Sequence, residues 1–264
     1  MDSWLAPEIE VSIDNQTDSE SVSRMVVTAA RGQPLATIEL EMSNVRFECE
    51  ALVESLRSGE AGLVVRWGYR GLDLTPLFDG SVKWFEIRDK LTLIGVCRNR
   101  PLAESRITRT YKDEQAASIV KHLVEPFGYS ELLIDDPGMT LDKLPMDGDS
   151  ALAAIEWLTR RLQLQTHTVW ADATGRFHWE PIDEQQESWA IFTHGEDVIT
   201  WQALPGDRRL LVVAGTELWH SQVVQVGNRE DEDPPRYFVE QVRHTLGAVE
   251  GEGMRTMAWL RRLS

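Results

Sequence analysis

The histidines are the first candidates for chemistry, because an imidazole can transfer protons near neutral pH or bind a metal ion. His167 and His178 lie on opposite arms of a predicted β-hairpin, where neighbouring strands could present both to a metal. Two polar positions on an exposed face are the commoner reason for such a pair. His220 and His244 could meet only through pairing of the last strands, and His122 lies among charged residues of a predicted helix. We therefore predict no metal site and no cofactor.

Adjacent carboxylates are the second candidate for chemistry. Asp135 and Asp136 could supply the acid and the nucleophile of a glycosidase. They stand in the sequence Asp-Asp-Pro-Gly, however, which is first of all a turn sequence. The acidic run from Glu230 to Pro235 could bind a divalent cation loosely, but its Pro-Pro pair cannot occupy a central strand and favours a solvated loop.

Known catalytic motifs are missing from the chain. It contains no Gly-x-Ser-x-Gly nucleophile turn, no His-Glu-x-x-His helix, no dinucleotide or P-loop glycine pattern and no EF-hand loop. We predict that the protein is not an enzyme.

The two cysteines, Cys49 and Cys97, both lie in apolar, strand-like patterns. Two cysteines without a Cys-x-x-Cys motif form neither a disulfide framework nor a zinc site, so we predict buried free thiols. The ten tryptophans are scattered, and those within predicted strands are expected in the core or in subunit contacts. Trp84, Trp170, Trp179, Trp201 and Trp259 are among these strand tryptophans.

Charge excludes two classes of function. The 264 residues include 43 Asp and Glu against 27 Lys and Arg, a formal net charge of −16. Such a chain does not coat nucleic acid, which requires stripes of basic residues, and it is not attracted to an anionic membrane. We also find no secretory signal pattern and no apolar run long enough to predict a transmembrane helix.

The first hundred residues predict β-structure, because apolar and polar residues alternate with a period of two. The predicted strands cover 9–13, 36–42, 45–51, 62–69, 78–87 and 91–97, with a hairpin or bend at Ser43-Asn44. In the second and third of these strands, four acidic residues alternate with apolar ones and therefore share a solvent-facing side. They are Glu39, Glu41, Glu48 and Glu50.

The middle of the chain predicts two helices and a hairpin. The first helix follows an N-cap at Asp113 and ends at Pro126 and Gly128, and the second is capped by Asp149 or Ser150. The hairpin joins 164–170 to 176–179, and Gly175 supplies the positive φ that its turn needs.

The last third predicts strands again, at 197–204, 209–213, 217–226, 236–246 and 254–263. The fold class is therefore α+β and mainly β. We divide the chain into a first β-barrel domain over 1–100, a helix-rich segment with a hairpin over 101–181, and a second β-barrel domain over 182–264, whose strands could pair with those of the first.

The order of these pieces resembles a known family. A strand with a Phe-Asp-Gly turn leads to a hairpin, to Thr-Arg-Thr-Tyr, and to a helix ending at Phe-Gly. A second helix and the hairpin with Asp172 and Gly175 follow, and the chain closes with a strand, a loop and a strand. From about Phe78 onward this resembles the baseplate hub family of contractile phage tails, which includes late-control D proteins, Mu-like tail hubs and the hub half of type VI secretion spike proteins.

The resemblance implies a structural virion protein of the tail baseplate, assembled in the host cytoplasm. Hubs of this family are homotrimers in which each subunit carries two tube-type antiparallel β-barrel domains, with the helix-plus-hairpin segment between them here. The resulting ring adapts a six-fold tail tube to a three-fold spike and lets DNA pass through its lumen. The implied partners are the tail tube protein, the spike protein and other baseplate proteins, with no specific nucleic-acid binding and no membrane.

One departure and two alternatives remain. The chain is short for the family, so either a peripheral insertion is missing or this is a minimal hub, and a sibling role such as a tube initiator or distal-tail protein stays open. The alternatives are a tail-associated cell-wall hydrolase and a carbohydrate- or receptor-binding tail module, for which the tryptophans are the best support.

Our hypothesis for the four glutamates is that some of them line the lumen. Residues 1–60 hold twelve acidic and four basic side chains, so the acidity is concentrated in the predicted first barrel. A carboxylate-lined bore would repel DNA over a Debye length of about 8 Å.

Overall fold

A computed structural model describes residues 6–14, 16–18, 21–43, 50–59, 61–247 and 253–263. Strands dominate it. The first part of the chain forms one helix, α1 (Glu50–Ser58), and seven strands. These strands are β1 (Pro7–Ile13), β2 (Gln16–Asp18), β3 (Val22–Ala30), β4 (Gln33–Ser43), β5 (Gly62–Tyr69), β6 (Thr75–Ile87) and β7 (Lys90–Cys97).

The middle of the chain holds the remaining described helices, together with five strands. The helices are α2 (Arg100–Glu104), α3 (Ala116–Val124), a 3-10 turn at Glu125–Phe127, and α4 (Ala151–Arg161). The strands are β8 (Ile107–Gln115), β9 (Glu131–Ile134), β10 (Thr140–Asp149), β11 (His167–Ala171) and β12 (Arg176–Pro181).

The last part is again β-structure. Its strands are β13 (Ala190–Thr193), β14 (Val198–Leu204), β15 (Arg208–Ala214), β16 (Val223–Gly227), β17 (Arg236–Leu246) and β18 (Arg255–Arg262). The fold is therefore mainly β, as the sequence predicts. Among the described residues, no helix is both long and apolar enough to cross a membrane.

One large sheet unites the two ends of the chain. Its thirteen strands run in the order β14-β15-β18-β17-β3-β4-β7-β6-β5-β1-β2, and β16 joins β17 and β13 beside this path. All neighbouring strands are antiparallel except the β13–β16 pair. The pairing of β17 with β3 connects the last part to the first, with Val242 opposite Ala29 and His244 opposite Val27.

The middle segment forms two small sheets of its own. β8 pairs with β10, and β12 lies between β11 and β9. The hairpin of β11 and β12 is antiparallel, as predicted, whereas β9 runs parallel to β12.

Two separate clusters of buried apolar side chains follow this division. The first comes from the large sheet and mixes residues of both chain ends, including Val27, Leu40, Val242 and Leu260. The second lies entirely between Leu102 and Trp179. Alternation along the strands explains the first cluster, since every second residue of β4 from Ala36 to Met42 is buried.

Most predicted element boundaries are confirmed. Ser150 is the N-cap of α4, and its side chain accepts a hydrogen bond of 3.1 Å from the Ala153 N–H. Gly128 follows the 3-10 turn in the left-handed region, and Gly175 has the expected positive φ of 79°. Strand β17 begins at Arg236 and ends at Leu246, at the predicted residues.

Several predicted boundaries are wrong, among them the start of the hairpin, which is at His167 and not at residue 164. The N-cap of α3 is Gln115, because β8 continues through Asp113 and holds that residue at a φ of 51°. Ala51 belongs to α1 rather than to a strand, while the rest of the predicted 45–51 strand lies outside the described residues or at their edge. The strand predicted from residue 217 begins only at Val223.

The cysteine prediction is confirmed for the one cysteine that the structure describes. Cys97 is a buried free thiol, and burial raises the pKa of this thiol. Cys49 lies outside the described residues.

Candidate functional site

The two predicted histidine pairs do not come together as pairs. Across the hairpin, His167 lies opposite Pro181 and His178 lies opposite Trp170. The Nε2 atom of His167 is 3.0 Å from Asp135 Oδ2, so this histidine has its own carboxylate partner. Within the described residues, no group of three or more His, Cys, Asp or Glu side chains could hold a metal ion.

His178 lies between two carboxylates. Its Nδ1 atom is 2.8 Å from Glu180 Oε1, and its Nε2 atom is 3.2 Å from Asp172 Oδ2. Because ionised carboxylates only accept hydrogen bonds, both contacts form together only when the imidazole carries two protons. Asp172 is fully engaged, since it also accepts from Arg176 Nε at 2.6 Å and from the Thr174 hydroxyl at 2.6 Å.

Six aromatic rings, beginning with His178, run from the hairpin into the large sheet, and we call them the ring stack. They alternate between histidine and tryptophan in the order His178, Trp170, His220, Trp219, His244 and Trp67. Successive ring centroids are 3.7, 4.8, 5.8, 5.7 and 4.9 Å apart. The ring stack therefore connects the hairpin of the middle segment with the last part of the chain and with β5 of the first part.

His220 and His244 thus share one neighbour, Trp219, instead of touching each other. Both histidines are buried, and burial lowers the pKa of each to about 3. The charges of His178 and Arg31 lower the pKa of His220 further. Both rings are therefore neutral at pH 7.

A second set of contacts holds the middle segment against the large sheet. The Arg98 side chain pairs with Asp79 at 3.0 Å and donates a hydrogen bond of 2.9 Å to the Gly128 carbonyl. The Tyr129 hydroxyl donates to Asn99 Oδ1 at 2.7 Å, and Asn99 Nδ2 donates to the Pro34 carbonyl at the start of β4. These contacts and the ring stack together form what we call the joint.

The hairpin turn fits closely at the joint. A Cβ atom at Gly175 would lie 2.8 Å from Asp79 Oδ2, so only glycine allows this approach. Burial raises the pKa of Asp79, and the nearby Asp172 adds to the rise, while Arg98 opposes it. Although burial alone would raise the pKa of Asp172, hydrogen bonds from His178, Thr174 and Arg176 hold it well below its ordinary value.

The ring stack was not predicted from the sequence. The sequence shows that Trp219 and His220 are adjacent and that the predicted hairpin contains Trp170 and His178. It does not show that these two pairs are in contact. What brings them together is contact between segments that are far apart in the chain, and no local pattern encodes such contact.

The predicted turn at Asp135 and Asp136 is confirmed. Asp136 Oδ1 accepts a hydrogen bond of 2.9 Å from the Gly138 N–H, and Asp135 is occupied by His167. The two carboxylates therefore stabilise local structure and have separate partners. Residues 230–235 form a loop, as predicted, and Asp231 Oδ2 accepts from the Asn228 N–H at 2.6 Å.

Glu39 and Glu41 lie on one face of β4. Arg24 of β3 is 3.9 Å from Glu39 and 3.1 Å from Glu41, and Lys90 is 3.3 Å from Glu41. Burial opposes the ionisation of Glu41, but hydrogen bonds from Arg24 and Lys90 lower its pKa overall. Glu48 and the side chain of Glu50 lie outside what the structure describes.

Basic residues share this face of the sheet. Strand register places Arg243 and Arg255 on the same side as Glu39. Arg243 pairs directly with Thr28 of β3. Arg255 pairs with Thr245, which lies opposite Val26 of β3. Val26 in turn lies opposite Glu39. The face is therefore of mixed charge, and Glu41 is neutralised more completely than Glu39.

Several large apolar side chains are exposed. Trp84 on β6, Trp157 on α4 and Trp189 before β13 each leave more than a third of their surface in solvent, as does Ile199 on β14. Of the strand tryptophans, Trp179 is fully buried in the second core. Such side chains indicate a contact with another protein where they form a contiguous patch.

Comparison with known proteins finds likeness in structure alone. No family model matches the chain, and no curated protein matches its sequence. The 43 kDa tail protein of prophage MuSo2 from Shewanella oneidensis has a TM-score of 0.70 at 10% identity, with 97% of this chain and 98% of that chain covered. A tail protein from Neisseria meningitidis MC58 has a TM-score of 0.72 at 11% identity, with 98% and 97% covered.

A third similar structure is the Escherichia coli c3393 protein, with a TM-score of 0.65 at 12% identity and with 96% of this chain and 77% of that chain covered. It is described as a component of the type VI secretion system that resembles the T4 bacteriophage tail proteins gp27 and gp5. The chain therefore shares the fold of phage tail proteins and of a type VI secretion component.

Proposed function

We propose that this chain is a structural protein of a phage tail, namely the baseplate hub. The observation that carries the proposal is the near-complete mutual coverage with two phage tail proteins at TM-scores of 0.70 and 0.72. Because the match covers at least 97% of both chains in each case, it extends over all three segments. The protein then acts by assembly in the virion tail and not by turnover of a substrate.

In this proposal each subunit contributes two tube-type barrels, over 1–100 and 182–264, with the segment 101–181 attached to them. The strand order supports the second barrel, because β13, β16, β17, β18, β15 and β14 are successive neighbours and His194 next to β13 bridges to Val198 of β14. The confinement of the second apolar cluster to 102–179 supports a separate middle segment.

We further propose that three subunits form a ring between the tail tube and the spike. Edge strands supply the contacts. Beyond Val198, β14 has no second neighbouring strand among the described residues, and its Ile199 side chain is 50% exposed. Pairing of this edge with a neighbouring subunit would cover both the unpaired backbone groups and the isoleucine.

The test is the mass of the purified protein in solution, measured by size-exclusion chromatography with light scattering. Three copies of the 30.0 kDa chain give about 90 kDa, and negative-stain images should show a ring with a central opening. Ile199→Asp should produce monomers. Met139→Asp, at a similarly exposed residue outside the strands, is the matched control and should leave the trimer intact.

A monomeric wild-type protein at micromolar concentration would overturn the trimer. A trimer that persists in Ile199→Asp would overturn the edge contact while leaving the ring in place.

We propose that the face of β4 with Glu39 and Glu41 lines the bore. Since Arg24 and Lys90 neutralise Glu41, repulsion of DNA then depends on Glu39 more than on Glu41. A bulky maleimide should label Glu39→Cys more slowly in the ring than in Ile199→Asp monomers. Equal rates would place this face on the outer wall.

A further inference from the structure

A cavity lies where the turn between β5 and β6 meets two pieces of the last third of the chain. Its volume is about 280 Å³, and the side chains that matter for its chemistry are Trp67, Tyr69, Leu72, Asp73, Trp189 and Glu217. We call it the Trp189 cavity. It is separate from the edge of β14, and it shares with the joint only Trp67, the last ring of the ring stack.

Three aromatic rings and one leucine supply its apolar surface. Trp67 is almost completely buried and is held by the edge-to-face contact with His244, at 4.9 Å between centroids. Tyr69 is half-buried. At the rim, Trp189 is 41% exposed and Leu72 is 59% exposed. A buried ring with exposed apolar side chains around it is the arrangement found at the centre of protein contacts.

The floor of the cavity is held in place by its backbone. Gly215 lies so close to its neighbours that a Cβ atom there would be 2.7 Å from Met254 Cβ and 3.4 Å from Trp67 Cη2. Its N–H donates a hydrogen bond of 3.1 Å to the Met254 carbonyl, and the Thr216 N–H donates to Thr256 Oγ1 at 3.1 Å. The aromatic floor is therefore preformed and needs no rearrangement to receive a ligand.

Both charged side chains of the cavity are acidic. Asp73 and Glu217 are exposed, and no Lys, Arg or His side chain lines the cavity. Within the described part of the chain, neither carboxylate takes part in an ion pair or a side-chain hydrogen bond. Other carboxylates such as Asp79, Glu184 and Glu240 are each paired with an arginine.

We propose that the Trp189 cavity binds a cationic side chain, a lysine or arginine, of a partner protein. Aromatic faces attract a cation through their ring quadrupoles, and a carboxylate at the rim adds direct charge attraction. The excess of negative charge in the whole chain, −16, favours a basic partner as well. Trp189 and Leu72 then cover the aliphatic part of the bound side chain.

This inference goes beyond the proposed function, because a cation site at this cavity requires neither the trimer nor the hub. The trimer mass is measured on the same samples, so a failure of one proposal is distinguishable from a failure of the other.

The test uses the full chain with 5-fluorotryptophan in place of tryptophan. The fluorine resonance of Trp189 is assigned from its loss in Trp189→Phe. The probe is the peptide acetyl-Gly-Leu-Lys-Leu-Gly-amide, and the matched neutral probe has norleucine in place of lysine. We expect a saturable shift of the Trp189 resonance with the lysine peptide and binding at least about tenfold weaker with the norleucine peptide.

Glu217→Gln and Asp73→Asn should each weaken binding of the lysine peptide several-fold, and the double variant should abolish it. Glu230→Gln removes the same charge from the exposed acidic loop and should leave binding unchanged. Added salt should weaken binding, because the rim carboxylates are exposed to solvent.

Three results would overturn the proposal. Equal binding of the norleucine peptide would make the cavity an apolar contact only. A shift of the Trp189 resonance with chitotriose but not with the lysine peptide would make it a saccharide site. The absence of any saturable shift, in protein whose circular dichroism matches the native chain, would leave it without either ligand.

Discussion

The indole ring of Trp170 stacks on the imidazole of His178, with centroids 3.7 Å apart and ring planes inclined by 10°. Both nitrogens of the same imidazole face carboxylates, those of Glu180 and Asp172. The other contact of Trp170 is with the edge of His220, 4.8 Å away. One side chain of the hairpin therefore connects a charged cluster of the middle segment with the loop that precedes β16.

Trp170→Ala should destabilise the protein by about 3 kcal/mol, the lower end of the range for deletion of a large aromatic side chain, because Trp170 is only half-buried. Urea unfolding measures the free-energy difference. Trp157→Ala on the exposed face of α4 is the control and should change stability by less than about 0.5 kcal/mol. Equal effects of the two substitutions would mean that the ring stack does not stabilise the contact between the middle segment and the large sheet.

Acid should unfold the protein through His220 and His244. The pKa of each is about 3 in the folded protein and 6.5 as its ordinary value. Below pH 6.5 both histidines are therefore protonated in the unfolded chain but stay neutral in the folded protein. The free energy of unfolding falls as the pH falls toward 3. At pH 5 the loss is about 2 kcal/mol for each histidine. Urea midpoints from pH 7.5 to pH 4.5 measure it.

His220→Gln and His244→Gln are the controls for this pH dependence, and each should remove about half of it. The lowered pKa of Asp172 contributes a loss only at lower pH, below the ordinary value of an aspartate, and the raised pKa of Asp79 acts in the opposite direction. An unchanged slope in the double glutamine variant would show that other groups titrate on unfolding.

Gly175→Ala should cost more than the same substitution at a glycine of similar positive φ with open space around it. The methyl group would add a collision with Asp79 Oδ2 to the backbone cost of a φ of 79°. Gly138→Ala is the control, since its φ is 66° and a Cβ atom there meets nothing within 4 Å. We expect a difference of about 1 to 2 kcal/mol between the two in urea unfolding. In an Asp79→Ala background, this difference should become smaller, although Arg98 Nε would still lie 3.3 Å from the new Cβ atom.

Ser150→Ala should destabilise α4 by about 1 kcal/mol, because the Ala153 N–H loses the hydroxyl that accepts its hydrogen bond. Hydrogen exchange of the α4 amides measures the effect locally. Ser150→Asp keeps a cap acceptor and should retain protection. Loss of protection in both variants would show that packing in the second core, and not the cap, holds the start of the helix.

Local patterns of the sequence predicted the elements well where one face is buried. The alternation in β4, the cap at Ser150 and the turn glycine at 175 all depend on residues that are close in the chain. The predicted N-cap at Asp113 is wrong because an aspartate can occupy either an N-cap or a position of positive φ. The pairing of β8 with β10 extends the strand past this residue.

Such local patterns did not predict the contacts between segments that are distant in the chain. Neither the salt bridges of Glu41 with Arg24 and Lys90 nor the rings that meet between Trp67 and His178 follow from spacing. Each depends on which strands become neighbours, and a strand with one buried face can pair with many partners.

The pairing of β3 with β17 has a consequence for biosynthesis. β3 leaves the ribosome early, but the strand that completes its second edge, β17, is made only after the whole middle segment and four further strands. Until then one edge of β3 and part of the first apolar cluster stay open, since Val242 and Leu260 belong to that cluster. The apolar cluster of the middle segment contains only residues of that segment, so this segment can fold first on the nascent chain. The large sheet is completed only after its last strands have left the ribosome.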